Sequence, residues 1–142
     1  SRLALPELLS APDPAYVSLQ SALFHHGLIE QVPAVIYAIT LGRTRRVRNP
    51  VGTVSFHHMP SELLTGFNIS LRDGAKIATA EKALFDILYL APARSRLFAR
   101  LPELDLPRRF RWPEVRKFAS QVQSESRRSY LADRIQMLRK GR

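Results

Sequence analysis

Thr79-Ala-Glu-Lys-Ala-Leu-Phe-Asp-Ile-Leu-Tyr-Leu90 is the stretch on which the fold turns. Thr79 stands where an N-cap is needed, and Glu81 falls in the first turn, where the helix dipole favours a carboxylate. Ala83, Leu84, Phe85, Ile87, Leu88, Tyr89 and Leu90 leave the helix apolar almost all round. Only Glu81, Lys82 and Asp86 interrupt that surface. A helix with so narrow a polar face belongs in the middle of a molecule. Lys82 and Asp86 are four residues apart, the spacing of an intrahelical ion pair. Glu81 and Asp86 lie about 140° from each other around the axis, poor geometry for a paired acid and base.

Upstream of this helix the chain reads as β-rich. Asp73-Gly74 predicts a hairpin over 68–79, with Ile69/Leu71 and Ala75/Ile77 as its alternating arms. Val54 and Phe56 alternate with Ser55 and His57 in a strand over 53–57, so the pairs point to opposite faces. Asn49-Pro50-Val51-Gly52 suits a type I turn that joins this strand to the basic run Arg43–Arg48. Val35–Ile39, bounded by Pro33 and Gly42, reads as a buried strand. A short helix is expected over 18–26, with Ser18 as cap, Leu19, Ala22 and Leu23 inward, and Gly27 as the left-handed stop. Residues 1–14, with three prolines and the cluster Leu3, Leu5, Leu8 and Leu9, read as a linker ahead of a domain over 15–142.

Downstream, an arginine- and proline-rich linker is expected from Pro92 to Arg111. Pro113 then opens a helix carrying Val115, Phe118, Ala119 and Val122 inward. A final helix over 124–140 turns Leu131, Ile135 and Leu138 inward and ends at Gly141. The fold class is therefore α+β: a mixed β-sheet with packed helices and a C-terminal helical pair.

The 142 residues carry a net charge of +10, and the sequence pI is near 11.0. The excess is uneven: from Ala91 to Arg142 there are 14 Lys and Arg against 5 Asp and Glu, and before that 8 against 7. Such asymmetry favours an anionic partner, either nucleic acid or an acidic protein face. With no cysteine, disulfides and thiolate metal sites are excluded, and a cytoplasmic location is expected. No apolar run reaches the roughly 18 residues of a membrane span. The first residue is Ser1, which points to further sequence upstream.

Residues suited to reaction chemistry are few. His25-His26 and His57-His58 are adjacent pairs whose side chains diverge, so neither pair can chelate alone. His25 and His26 read as residues at a helix C-terminus, where protonation is tolerated. No nucleophile elbow and no glycine-rich phosphate loop is present. No catalytic residue, metal site or cofactor is therefore expected. The candidate binding residues are arginines in three groups: Arg43, Arg45, Arg46 and Arg48 on a hairpin arm; Arg108, Arg109 and Arg111 beside Phe110 and Trp112; and Arg127, Arg128, Arg134, Arg139 and Lys140 on the last helix. Five to eight phosphate contacts would make log affinity fall with log salt by roughly 0.9 per contact.

Three strings carry a resemblance. Ala15-Tyr-Val-Ser-Leu-Gln-Ser-Ala-Leu-Phe-His-His-Gly-Leu28 resembles the Y-(V/I)-S-L-x-S-A-L-x-x-H-G-L element of the AbiEi family, antitoxins of type IV toxin–antitoxin systems. Gly52-Thr-Val-Ser-Phe-His-His58 is similar to that family's G-x-(V/F)-x-(F/Y)-x-H strand. Ile77-Ala-Thr-Ala-Glu-Lys-Ala-Leu-Phe-Asp-Ile-Leu-Tyr-Leu90 is similar to its A-(T/S)-x-E-K-A-L-x-D-x-L-Y helix. The resemblance covers most of 15–90; the basic tail agrees only in character. It implies a C-terminal antitoxin domain, with a winged helix-turn-helix expected upstream, that represses its own operon and opposes a nucleotidyltransferase-like toxin. Operator DNA, bound with that upstream domain, and the toxin are the implied partners; no membrane is implied. Ser18, Gly27, Thr79, Glu81, Lys82 and Asp86 then read as structural positions of cap, stop and polar stripe. Two other readings stand beside this one: a stand-alone basic nucleic-acid-binding module, and a nuclease or protein-modifying enzyme.

Overall fold

The computed structural model describes residues 2–91 and 103–141. Much of the linker expected from Pro92 to Arg111 lies outside the described residues. A 3-10 turn, Arg2–Ala4, leads into α1, Leu5–Ser10. Then follow β1 Ala15–Val17, α2 Leu19–His25, β2 Ile36–Thr40, β3 Arg45–Asn49, β4 Gly52–His58, β5 Phe67–Ile69 and β6 Lys76–Ala78. The chain continues with α3 Ala80–Leu90, α4 Trp112–Ser120 and α5 Glu125–Lys140. The strands form one six-stranded mixed sheet in the order β3-β4-β2-β1-β6-β5. Pairings β1–β6 and β2–β4 are parallel, and the other three are antiparallel. The α+β architecture with a C-terminal helical pair is as the sequence predicts.

Strand alternation distributes side chains between two cores. Tyr16 of β1 and Ile39 of β2 face the helical layer and share one core with Leu19, Leu23, Leu84, Ile87, Val115, Leu131 and Ile135. Ala15, Val17, Ile36, Ala38, Val54 and Phe56 face the other way, against Leu3, Leu5 and Leu9. The segment read as a linker is thus partly helical, and its leucines close the second face of the sheet. Leu8, grouped with them in the sequence, points outward and is 73% exposed. Proline at the start of α1 hid the helix, since three prolines in fifteen residues read as a connection; proline is tolerated in a first helical turn.

The hairpins form where expected, with one change. Asn49 pairs with Gly52, and the Asn49 side-chain oxygen accepts from the Val51 N–H at 2.9 Å. In the second hairpin Gly74 adopts φ +74°, but Ser70 and Ala75 close the loop at 2.8 Å. The turn is longer than a two-residue Asp-Gly connection, so Leu71 leaves the arm and is fully exposed.

Candidate functional site

The polar heart of the molecule is built by α3 and β1. The Thr79 hydroxyl accepts from the Lys82 N–H at 3.1 Å, the cap the sequence predicts. From that start, one face of α3 carries Lys82 and Asp86 into the core, both 0% exposed. Lys82 Nζ donates to Asp86 Oδ1 at 2.7 Å, to the Leu63 carbonyl at 2.7 Å and to Tyr16 Oη at 2.6 Å. Tyr16 Oη donates in turn to Asp86 Oδ2 at 2.9 Å, and Ser18 Oγ donates to the same oxygen at 2.6 Å. All three ammonium protons are used, and both carboxylate oxygens are occupied. The ammonium also lies 5.1 Å from the Tyr16 ring centre, 5.4 Å from Phe85 and 5.7 Å from Phe118, within cation–π range.

Burial raises the Asp86 pKa, and Lys82, Ser18 and Tyr16 oppose that rise by binding the carboxylate. Tyr16 is raised well above the usual phenol range by burial first and by the Asp86 charge second. The tyrosine therefore stays protonated and keeps its donor role. Every hydroxyl and ammonium proton of the cluster is used, and Lys82 and Asp86 are closed off from solvent, so its chemistry is that of a fastening between β1 and α3.

Ser18 therefore has a different task from the cap assigned to it. No N–H of α2 bonds its hydroxyl. Leu19 takes φ +55°, a left-handed turn that costs about 1–2 kcal/mol for a residue with a Cβ. This corner swings α2 away from β1 and leaves the Ser18 hydroxyl directed at Asp86. Gly27, at φ +81°, ends α2 as expected. Glu81 is not part of the buried cluster; its Oε2 accepts from the Arg111 N–H at 2.9 Å and ties the start of α4 to the start of α3.

The histidines serve as braces. His26 Nε2–H donates to the Ala78 carbonyl at 2.7 Å, joining α2 to β6. His58 Nδ1–H is shared between the Leu41 and Gly42 carbonyls at 3.0 Å each. Ser55 Oγ and His57 Nε2 are 3.0 Å apart, both buried, with Tyr37 stacked on the imidazole. His25 stands at the C-terminal end of α2 as expected; burial lowers its pKa, and His26 beside it lowers it further. Among the described residues, no three His, Asp or Glu side chains come together as a metal site would require.

The three arginine groups stand on different elements. Arg45, Arg46 and Arg48 decorate β3, an edge strand of the sheet, and Arg43 precedes it. Arg45 turns to the α1 side, over the Phe56 ring at 5.6 Å, while Arg46 is on the opposite face beside His57. Charged side chains on an edge strand also discourage strand addition by another chain. Arg108, Arg109 and Arg111 are exposed. Phe110 and Trp112 meet edge to face at 5.2 Å and pack on the core, so the aromatics among these arginines are structural.

On α5 the expected group divides. Arg127 lies over the Tyr89 ring at 4.0 Å and donates to the Tyr89 carbonyl. Arg128 donates to the Val122 and Gln123 carbonyls at 2.6 and 2.8 Å, closing the C-terminal end of α4. Both are clasps within the fold, so their guanidinium groups are already committed. Arg134 is half-buried, with its Nε unpartnered among the described residues. Arg139 and Lys140 are exposed at the end of α5, where the helix dipole favours cations. Arg116, a lone arginine on α4, falls outside the three groups that sequence reading singles out. With Arg128 and Arg139 it borders an open groove of about 400 Å³ between α4 and α5, lined also by Ala119, Ser120, Ala132, Ile135 and Gln136. A signal for it exists in the sequence: Arg116, Ala119 and Ser120 on one helix and Arg128, Ala132, Gln136 and Arg139 on the other repeat at i, i+3 and i+4.

No family model matches the chain, and no curated protein or solved structure matches it either.

Proposed function

We propose that this chain is a non-enzymatic antitoxin and transcriptional autoregulator domain of a type IV toxin–antitoxin system. It opposes a nucleotidyltransferase-like toxin in the cytoplasm and supports operator binding by a winged helix-turn-helix expected upstream. One observation carries the reading. Tyr16 and Ser18 from the first AbiEi-like string, and Lys82 and Asp86 from the third, close a single buried network. Residues 66 to 70 positions apart thus answer one structural need together. The second string contributes in the same manner, since its His58 holds the turn after β2. The strings are the joints of one architecture, and that supports reading them as a family signature.

The saturation of the cluster favours a binding role over catalysis, because a catalytic group must reach its substrate. The helical pair supplies surface: over 112–140, seven Lys and Arg stand against three Asp and Glu. The test is co-expression of the full chain with the nucleotidyltransferase encoded beside it. Growth arrested by the toxin alone is restored when the chain is present. Persistent arrest beside a folded, abundant chain overturns the reading. High-affinity binding of bare operator DNA by this chain alone, with a steep salt dependence, favours the nucleic-acid module instead.

A further inference from the structure

The groove between α4 and α5 has the chemistry of a helix-docking site. Its floor is apolar and low: Ala132 of α5 is exposed in it, and Ala119 of α4 and Ile135 of α5 lie buried beneath. Ser120 and Gln136 offer neutral hydrogen-bonding groups, and no acidic residue lines it. Arg128 closes one end and is held there by the Val122 and Gln123 carbonyls. Arg116 rises from α4 and Arg139 from α5, both exposed, and neither side chain has a hydrogen-bond or ion-pair partner among the described residues. From Arg128 to Arg139 the α5 wall runs eleven residues, roughly 16 Å or three helical turns.

We infer that this groove receives an acidic amphipathic helix of a protein partner, its apolar side chains over Ala132 and its carboxylates at Arg116 and Arg139. The alanines leave room for a partner helix to approach closely, and small floor positions with large incoming side chains are how an amphipathic helix fills a groove. Charge complementarity selects the sign of the flanking residues, and arginine suits carboxylates through its two-pronged donor geometry. A nucleic-acid backbone would satisfy the arginines but bring nothing apolar to cover Ala132. The inference deepens the antitoxin reading by specifying the partner segment, and it rests on that reading only for who the partner is.

The probe is a fluorescent Leu/Glu peptide of about 15 residues, long enough to form a helix, with Leu on one face and Glu on the other. Its affinity for the full chain is measured by anisotropy. A composition-matched scrambled peptide, a Glu→Gln peptide and a DNA duplex serve as comparisons. The amphipathic peptide binds; the scrambled and Glu→Gln peptides bind at least about tenfold more weakly, since helix-groove contacts and charge pairing are both lost. Ala132→Trp, at an exposed position, fills the groove without changing charge and weakens the peptide by a similar factor. The double variant Arg116→Glu/Arg139→Glu does the same by reversing charge. Circular dichroism establishes that both variants are folded. Absence of peptide binding, equal binding of the scrambled peptide, or indifference to Ala132→Trp overturns the inference. Duplex binding that needs the arginines but ignores Ala132→Trp reassigns the surface to phosphate. If the peptide binds by these rules and the chain fails to rescue toxin-arrested cells, the antitoxin reading falls and the groove stands. Rescue that is unaffected by Ala132→Trp, with no peptide binding, sinks the groove and leaves the antitoxin reading in place.

Discussion

A lysine ammonium with 0% exposure is tolerable only when each of its protons finds a partner, and Lys82 meets that condition with Asp86, Leu63 and Tyr16. Removing one member leaves the other as an uncompensated buried charge. Lys82→Met and Asp86→Asn should each lower the unfolding free energy by about 3–5 kcal/mol in urea titrations. Replacing both with apolar groups should cost far less than the two singles added, because no orphan charge remains. His57 makes a second prediction. Burial, and then the nearby Arg46 charge, depress its pKa below the ordinary 6.5. Above 6.5 the ring is neutral in folded and unfolded chains alike, and its full contribution to stability is present. As pH falls below 6.5, the unfolded chain takes up the proton first, and stability is lost until the folded value is passed. His57→Gln should remove that component, so the wild-type-minus-variant difference in urea midpoint shrinks between about pH 7 and pH 5.

At the scale of elements, fit depends on a few close approaches. Gly66 adopts φ +81°, and a Cβ there would meet Lys82 Cγ at 2.7 Å and Phe118 Cζ at 2.9 Å. Its carbonyl also accepts the Thr79 N–H at 2.9 Å, so the strand entering β5 is held against the start of α3. Gly66→Ala combines a left-handed backbone with a crowded Cβ and should destabilise by about 2–4 kcal/mol, read from the shift in thermal or urea midpoint. Gly27, with nothing within 4 Å of a built Cβ, should lose only the backbone component when changed to Ala. What is legible in the sequence divides along the same line. Local signals succeed: the Thr79 cap, the Gly27 stop, the alternation of Val54 and Phe56, and the Lys82–Asp86 spacing each depend on neighbours in the chain. Long-range partners are hidden. That Ser18 serves a carboxylate 68 residues away follows only once the Leu19 corner and the β1–α3 packing exist. Arg127 and Arg128 look like free cations in the sequence because nothing local reveals that carbonyls of Tyr89, Val122 and Gln123 await them.

Taken whole, the molecule separates support from contact. The sheet is closed on one face by α1 and on the other by α2 and α3, with the C-terminal helices packed on α3 and the Lys82–Asp86 cluster fastening β1 to α3. Among the described residues, no helix is long and apolar enough to cross a membrane. Unspent positive charge lies outside, on β3, before α4 and along α5, while the Lys82–Asp86–Tyr16 cluster inside is saturated. That division means a loss of binding should follow from surface charge reversal and not from an interior replacement that preserves packing. The most direct measurement is therefore a paired rescue assay against the adjacent nucleotidyltransferase, with folding of each variant established by thermal melting. The account predicts that Lys82→Met/Asp86→Leu still restores growth and that Arg116→Glu/Arg139→Glu, though folded, does not. Rescue by the surface variant together with failure of a folded interior variant would contradict it.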